Sequence, residues 1–137
     1  MRNTVLVDSG PLIALFDKDD KFHTKVLNYL KDNDVKLLTS LAVITEVSHI
    51  LDFNLKVQID FLKWVELGGV VLYDIKMEDL NEIIKLMQNY TNVPMDFADA
   101  TLMNISYQEN IRQILSIDSD FDIYRTLKNG FLENVLR

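Results

Sequence analysis

The hydrophobic and polar positions of the chain follow two different periods, and this pattern predicts the order of its secondary structure. Short apolar runs bounded by polar or turn-forming residues are typical of buried strands, whereas apolar residues three and four positions apart indicate helices with one buried face. The predicted strands are Thr4 to Val7, Lys36 to Leu38, Val70 to Tyr73 and Gln113 to Ile117. The predicted helices are Leu12 to Phe16, Phe22 to Leu30, Leu41 to Leu51, Leu55 to Leu67, Met77 to Tyr90 and Asp96 to Tyr107.

Strands that alternate with helices predict an α/β fold with a central parallel sheet flanked by helices on both faces. The 137 residues are enough for one domain with a continuous core, and no linker, repeat or block of like charge divides them. We therefore expect a single domain over residues 1–137. Apolar residues make up 48% of the chain, with only 4 Gly and 2 Pro, which argues against a disordered protein.

Composition also limits the chemistry and the compartment. The chain has no Cys, which excludes a disulfide framework, a thiolate metal site and a cysteine nucleophile, and is consistent with a reducing cytosol. A basic stretch followed by a long apolar region is absent from the sequence start, and no apolar run approaches the roughly 20 residues that span a bilayer. We expect a soluble, cytoplasmic protein.

Five acidic residues occupy positions where a buried cluster would need them. Asp8 and Asp118 each end an apolar run, at the carboxyl end of a predicted strand, where functional groups gather in open parallel sheets. Asp96 and Asp99 lie one helical turn apart in the first turn of their helix. Glu46 lies within an apolar helical stretch. Because ionised groups against a core are costly unless paired or metal-bound, their convergence predicts a site for divalent cations.

Each acid also has an ordinary structural explanation. Asp96 is a natural helix N-cap, Asp8 can simply open the following turn, and Glu46 can be an exposed helical residue. Asp99 lies between two alanines, where a merely solvated acid is less natural. A purely structural origin for the whole set requires several coincidences at once.

Other catalytic groups have weaker support in the sequence. His49 follows Glu46 by three residues, but with only 2 His in the chain a zinc site competes with an ordinary core or surface imidazole. Without an adjacent His base, the hydroxyl groups are expected to cap helices or to orient carboxylates rather than act as nucleophiles: Ser9, Thr39, Ser40 and Ser116.

The net charge of -7, from 14 basic and 21 acidic residues, argues against broad binding of nucleic acids through a basic surface. Part of this excess vanishes if the acids hold one or two Mg²⁺ or Mn²⁺ ions, which attract phosphate. A nuclease is therefore compatible with an acidic chain only if it binds cations.

Four blocks of sequence, in order, resemble the PIN domain family, and most closely its VapC-type ribonuclease toxins. They are VDSGPLIALFD at Val7 to Asp17, TSLAVITEVSHIL at Thr39 to Leu51, PMDFADATLMNIS at Pro94 to Ser106 and ILSIDSDFDIYR at Ile114 to Arg125. The resemblance implies an acidic quartet that binds Mg²⁺ or Mn²⁺, formed by Asp8, Glu46, Asp99 and Asp118. It also implies a further acid at Asp96 and small hydroxyl residues beside the quartet at Ser9 and Ser116. The chain departs from the family in having Ser116 where Thr is frequent, and in having Asp120 as a competing acid.

The resemblance further implies metal-dependent endonucleolytic hydrolysis of single-stranded RNA, a homodimer, and an antitoxin whose C-terminal segment enters the acidic cleft. The candidates for RNA recognition, by their place near the predicted mouth of the cleft, are Lys18, Lys21, Lys25 and Arg125, with simple solvation at the surface as the alternative. Four residues are expected to lie either at an interface with a partner or in the core, with neither position favoured: Phe61, Leu62, Trp64 and Tyr107. The alternatives are a catalytically silent PIN-fold module that binds RNA or a protein, and another α/β enzyme such as a phosphatase, for which Asp8 lacks an Asp-x-Asp pair.

Overall fold

The computed structural model describes residues 2–137, so Met1 of the predicted domain lies outside it. The strands are β1 (Asn3–Val7), β2 (Val35–Ser40), β3 (Val71–Tyr73), β4 (Gln113–Leu115) and β5 (Glu133–Asn134). The α-helices are α1 (Ser9–Phe16), α2 (His23–Asp32), α3 (Leu41–Ile50), α4 (Leu55–Glu66), α5 (Leu80–Gln88) and α6 (Phe97–Glu109). Short 3₁₀ helices cover Leu51–Phe53, Met77–Asp79 and Ser119–Asp122.

The five strands form one parallel sheet in the order β3-β2-β1-β4-β5. The chain moves outward from β1 to β2 and β3, then returns to the other side of β1 to form β4. Because parallel crossovers are right-handed, α1 to α4 cover one face of the sheet and α5 and α6 the other. The predicted α/β fold is confirmed, and the strand order reverses between β1 and β4, where such folds place their binding sites.

The central strand and helix α6 form the middle of the core. Val5, Leu6 and Val7 of β1 are completely buried, as expected for a strand covered on both faces. Residues 100 to 106 of α6 are all buried. The continuous apolar run of β1 reflects that position, whereas α6 also buries small polar side chains, namely Thr101, Asn104 and Ser106.

Side chains explain where the observed elements differ from the predicted ones. Strand β4 ends at Leu115 rather than Ile117. At Ser116 the backbone groups bond to the side chain of Asn134 and no longer to the backbone of the neighbouring strand. Helix α5 begins at Leu80 rather than Met77. The Asp79 carboxylate accepts a hydrogen bond from the backbone N–H of Lys76 at 2.8 Å, which favours a tighter first turn.

Strand β5 is absent from the prediction because its two residues are too few to produce a periodic pattern. In the part of the chain that the structure describes, no helix is long and apolar enough to cross a membrane.

Candidate active site

Asp8 and Ser116 lie next to each other where the strand order reverses. Asp8 directly follows β1, is only 6% exposed, and its backbone N–H donates to the Leu115 carbonyl at 3.1 Å. Ser116 directly follows β4, and its hydroxyl donates to Asp8 Oδ2 at 3.3 Å. The backbone N–H of Asp118 donates to Ser116 Oγ at 3.0 Å. Ser116 therefore connects the ends of two adjacent strands and orients a buried carboxylate, as expected for the hydroxyl.

Asn134 on β5 is a positioning residue that the sequence did not reveal. Its Nδ2 donates to the Ser116 carbonyl at 2.9 Å, and its Oδ1 accepts from the Ser116 N–H at 3.3 Å. The side chain thus holds both backbone groups of the residue that contacts Asp8. Only the sheet pairing brings residue 134 to residue 116, so no local sequence pattern predicts this contact.

The first turn of α6 carries two of the acids in different roles. Asp96 is the N-cap, and its Oδ1 accepts from the Asp99 backbone N–H at 2.8 Å. Asp96 therefore does cap the helix, as its structural explanation predicts. The second oxygen of the Asp96 carboxylate takes no part in this cap. Asp99 is half-buried, and its Oδ2 lies 3.4 Å from the Tyr124 hydroxyl, which donates to the Pro94 carbonyl at 2.6 Å.

Tyr124 is a second contact that sequence inspection missed. Burial, and then the negative charge of Asp99, raises the pKa of Tyr124 above its ordinary value, so this hydroxyl stays protonated beside the acid. Tyr124 lies 25 residues from Asp99 along the chain, so no local pattern links the two residues. Its ring packs edge to face against that of Phe121, three residues earlier.

A buried hydroxyl pair fixes helix α3 against helix α6. The Thr101 hydroxyl donates to the Ala98 carbonyl at 2.6 Å and lies 2.7 Å from the Ser40 hydroxyl, which caps α3. Helix α3 carries Glu46, and α6 carries Asp99. The pair therefore holds in register the two helices that bring these acids to the cleft.

The acids repel one another within a poorly solvated cleft. Burial raises the pKa of Asp8 to about 6, with smaller contributions from the negative charges of Glu46 and Asp118. Burial also raises the pKa of Asp99 to about 8, with further contributions from Asp8 and Asp96. All five predicted acids therefore lie within electrostatic range of at least one other, and their role in metal binding stays a prediction.

The chemistry of this donor set fits a hard divalent cation. Carboxylate oxygens are the ligands that Mg²⁺ and Mn²⁺ prefer. The ion pairs within residues 2–137 involve other acids, namely Asp34, Asp60 and Asp122, so none of the five predicted acids has a basic partner. Across the same residues, no three acidic or imidazole side chains are close enough to form a preassembled metal site. An ion held by these acids would therefore require their side chains to draw together.

Asp118 and Asp120 compete for the position at the end of β4. The Asp118 carboxylate accepts from the Asp120 N–H at 2.9 Å. The charge of Asp118 contributes to raising the pKa of both Asp8 and Asp99, whereas the charge of Asp120 acts on Tyr124. This electrostatic contact favours Asp118 as the member of the cluster.

The basic residues considered for RNA recognition differ in whether their charged groups are already engaged by other residues of the chain. Lys18 and Lys25 are exposed, and the Lys21 ammonium lies 5.1 Å from the centre of the Phe22 ring. Arg125 donates to three backbone carbonyls of its own turn, so its guanidinium group has a structural role. His49 is exposed, which agrees with a surface imidazole.

The structure separates the four residues for which the sequence allowed either a core or an interface position. Phe61 is completely buried, and Trp64 packs beside it with its ring centre 6.3 Å away. Leu62 and Tyr107 are exposed. The first two belong to the core, whereas the other two remain available to a partner.

Comparison with known proteins agrees with the α/β fold. A family model described as the PIN domain matches residues 5–127, a range that includes all five acids. Among solved structures, the fold is similar to that of VapC20 from Mycobacterium tuberculosis, a Sarcin-Ricin loop cleaving toxin. The TM-score is 0.78, and the 18% identity extends over 94% of this chain and 97% of that chain. No curated protein matches the chain at a significant level of sequence similarity.

Proposed function

The chain belongs to the PIN domain family, and on that premise we propose that it is a metal-dependent endoribonuclease that hydrolyses phosphodiester bonds of single-stranded RNA. The observation that carries this proposal is the group of acids without basic partners where the strand order reverses. Such a group repels RNA on its own and attracts it once cations are bound.

In this proposal the catalytic acids are Asp8, Glu46, Asp99 and Asp118. These residues would hold Mg²⁺ or Mn²⁺, together with the carboxylate oxygen of Asp96 that the helix cap leaves free. The bound metal would supply a water of lowered pKa and neutralise charge on the phosphate.

The surrounding residues keep these acids in place. Ser116 fixes the rotamer of Asp8 by a hydrogen bond, and Asn134 fixes Ser116. Tyr124 contacts Asp99 and limits its contact with water. Such outer partners orient the ligands of a metal and contribute to its affinity.

The biological role we propose is that of a cytoplasmic toxin controlled by an antitoxin protein. The support for this role is the fold shared with a toxin. A separate feature is a set of exposed apolar side chains on, between and directly after α3 and α4. We define this surface as the α3–α4 patch; it consists of Ile50, Phe53, Leu55, Ile59, Leu62 and Leu67. Contiguous exposed apolar residues are typical of protein interfaces.

We also propose a homodimer that uses the α3–α4 patch. Sedimentation equilibrium should give about twice the chain mass of 15.9 kDa, and Leu55→Asp should return the monomer mass. A monomeric parent would contradict the dimer without affecting the nuclease.

The nuclease is tested by incubating the purified protein with a mixed single-stranded RNA pool and Mn²⁺, with and without EDTA. We expect metal-dependent cuts, and a rate at least about 100-fold lower in Asp99→Asn, because even outer partners of metal ligands cost about 10- to 100-fold. Asp52→Asn is the matched control, since Asp52 is an exposed acid in the 3₁₀ helix after α3.

Intact RNA in every condition, or equal cutting by Asp99→Asn and the parent, would contradict the proposal. Intact RNA would favour a catalytically silent module of the same fold that binds RNA or a protein, whereas equal cutting would show that the cleavage does not depend on Asp99.

A further inference from the structure

An apolar cavity of about 430 Å³ lies between the start of α3, the segment after β3 and the start of α6. Its walls include Leu41, Tyr73, Met77, Leu80, Phe97 and Thr101. Three of these side chains are widely exposed: Leu41 at 63%, Met77 at 81% and Phe97 at 44%. The volume falls within the range of small-ligand sites, roughly 300–1,000 Å³.

This cavity continues directly into the acidic cleft. A shallower depression of about 410 Å³ is lined by Glu46 and Asp96, and it shares Ala42, Thr45 and Phe97 with the apolar cavity. Phe97 directly follows Asp96 and lies two residues before Asp99. A ligand atom beside the acids is therefore next to an exposed aromatic ring.

We propose that the apolar cavity binds an unpaired nucleobase of the RNA substrate, stacked on Phe97, beside the phosphate that is cleaved. The inference rests on the proposed nuclease function and names a specificity-determining residue for it. Unpaired bases splayed out of single-stranded RNA stack on aromatic side chains. The groups at the rim of the cavity, Thr45, Asp74 and Lys76, provide hydrogen-bonding atoms for the edge of the base.

Charge favours a base over a second copy of the chain as the occupant. The cavity borders two acids, and a second copy would bring a further net charge of -7 to that border. A nucleobase is neutral and flat, and its phosphate would face cations in the adjoining cleft. The α3–α4 patch offers a second copy a separate apolar surface.

The test uses a set of short single-stranded RNAs, each with 2-aminopurine at a different position, and measures its fluorescence. 2-Aminopurine is a fluorescent base whose emission is quenched when it stacks. Stopped-flow mixing with protein and Mn²⁺ records binding before any cleavage. We expect strong quenching at one position with the parent. Phe97→Leu should lose that quenching and bind roughly 5- to 150-fold more weakly, whereas Phe97→Trp should keep it. Phe131→Leu, which changes an exposed Phe outside both the cavity and the α3–α4 patch, should behave as the parent does.

The outcomes separate the subsite from the nuclease. Quenching at no position, with RNA still cut by the parent, overturns the subsite and leaves the nuclease standing. Phe97-dependent quenching without any cutting supports the subsite and contradicts the nuclease. If Phe97→Leu turns a dimer into a monomer while the quenching is unchanged, a second copy covers the cavity, and the subsite is overturned.

Discussion

Helix α1 connects two regions of opposite character. Its first residue follows Asp8 in the acidic cleft, and its last residue, Phe16, lies in an aromatic cluster with Phe61 and Trp64 of α4. In that cluster the Phe16 ring centre lies 5.4 Å from each of the other two in edge-to-face geometry, which is favourable for aromatic rings. At the other end, burial and mutual repulsion raise the pKa of Asp8 and Asp99.

The difference between these regions separates stability from function. The aromatic cluster carries no charge and stabilises the fold by burial and by the contacts between its rings. The acidic cleft holds charges in a place that disfavours them, and strongly shifted pKa values of this kind cluster at functional sites. Substitutions in the two regions should therefore change the free energy of unfolding in opposite directions.

The largest expected effect is in the aromatic cluster. Phe61→Ala should lower the free energy of unfolding by about 3–5 kcal/mol, because it leaves a cavity between α1 and α4. Urea denaturation measures the change. Ile84→Ala is the control, with an expected change within about 0.5 kcal/mol because Ile84 is an exposed residue of α5 outside the α3–α4 patch. Equal losses from the two substitutions would show that the cluster does not support the fold.

The acidic cleft should give the opposite sign. In EDTA at pH 8, Asp8→Asn should raise the free energy of unfolding by up to about 3 kcal/mol, the equivalent of about two pKa units. At pH 4 the gain should disappear. Thermal or urea unfolding of both proteins at the two pH values measures the difference.

The sign follows from proton binding. The folded pKa of Asp8, about 6, lies above the unfolded value of 3.8, so the folded state binds the proton more tightly. The contribution is fully favourable below pH 3.8 and is lost as the pH rises through 6. Asp99, with a folded pKa of about 8, extends the loss to higher pH. A parent and variant that differ equally at pH 4 and pH 8 would contradict this account.

A smaller effect is expected where α3 meets α6. Thr101→Val keeps the side-chain shape but removes the partner of the buried Ser40 hydroxyl, at a cost of about 1–2 kcal/mol. Cleavage should fall further than stability explains, because Glu46 and Asp99 lose their common register. Thr24→Val, on the exposed surface of α2, is the control. Ser40→Ala should cost less stability in the Thr101→Val background than in the parent, since the hydroxyl pair is already broken there and only the cap of α3 is lost.

The smallest effect concerns a polar side chain that has no place in either region. Both side-chain polar atoms of Asn104 are buried in α6, without a hydrogen-bond partner in residues 2–137. Asn104→Leu should therefore raise the free energy of unfolding by about 1 kcal/mol, measured by thermal unfolding. A loss of stability instead would reveal a partner such as a buried water.

Local patterns predicted what local interactions determine. The apolar run of β1 and the cap of α6 each depend on neighbouring residues, so their positions, and with them Asp8, Asp96 and Asp99, follow from the sequence. Asn134 and Tyr124 contact the site through the sheet and a long loop. Their sequence surroundings carry no periodicity, and only the folded chain brings them to Ser116 and Asp99.

The central claim, that the acids of the cleft together bind divalent cations, is tested most directly by calorimetric titration of Mn²⁺ at pH 7.5. The parent should bind Mn²⁺, and each of four variants should bind at least about 10-fold more weakly: Asp8→Asn, Glu46→Gln, Asp99→Asn and Asp118→Asn. Asp52→Asn should bind as the parent does. A parent that binds no Mn²⁺, or four variants that bind it with unchanged affinity, would contradict the claim.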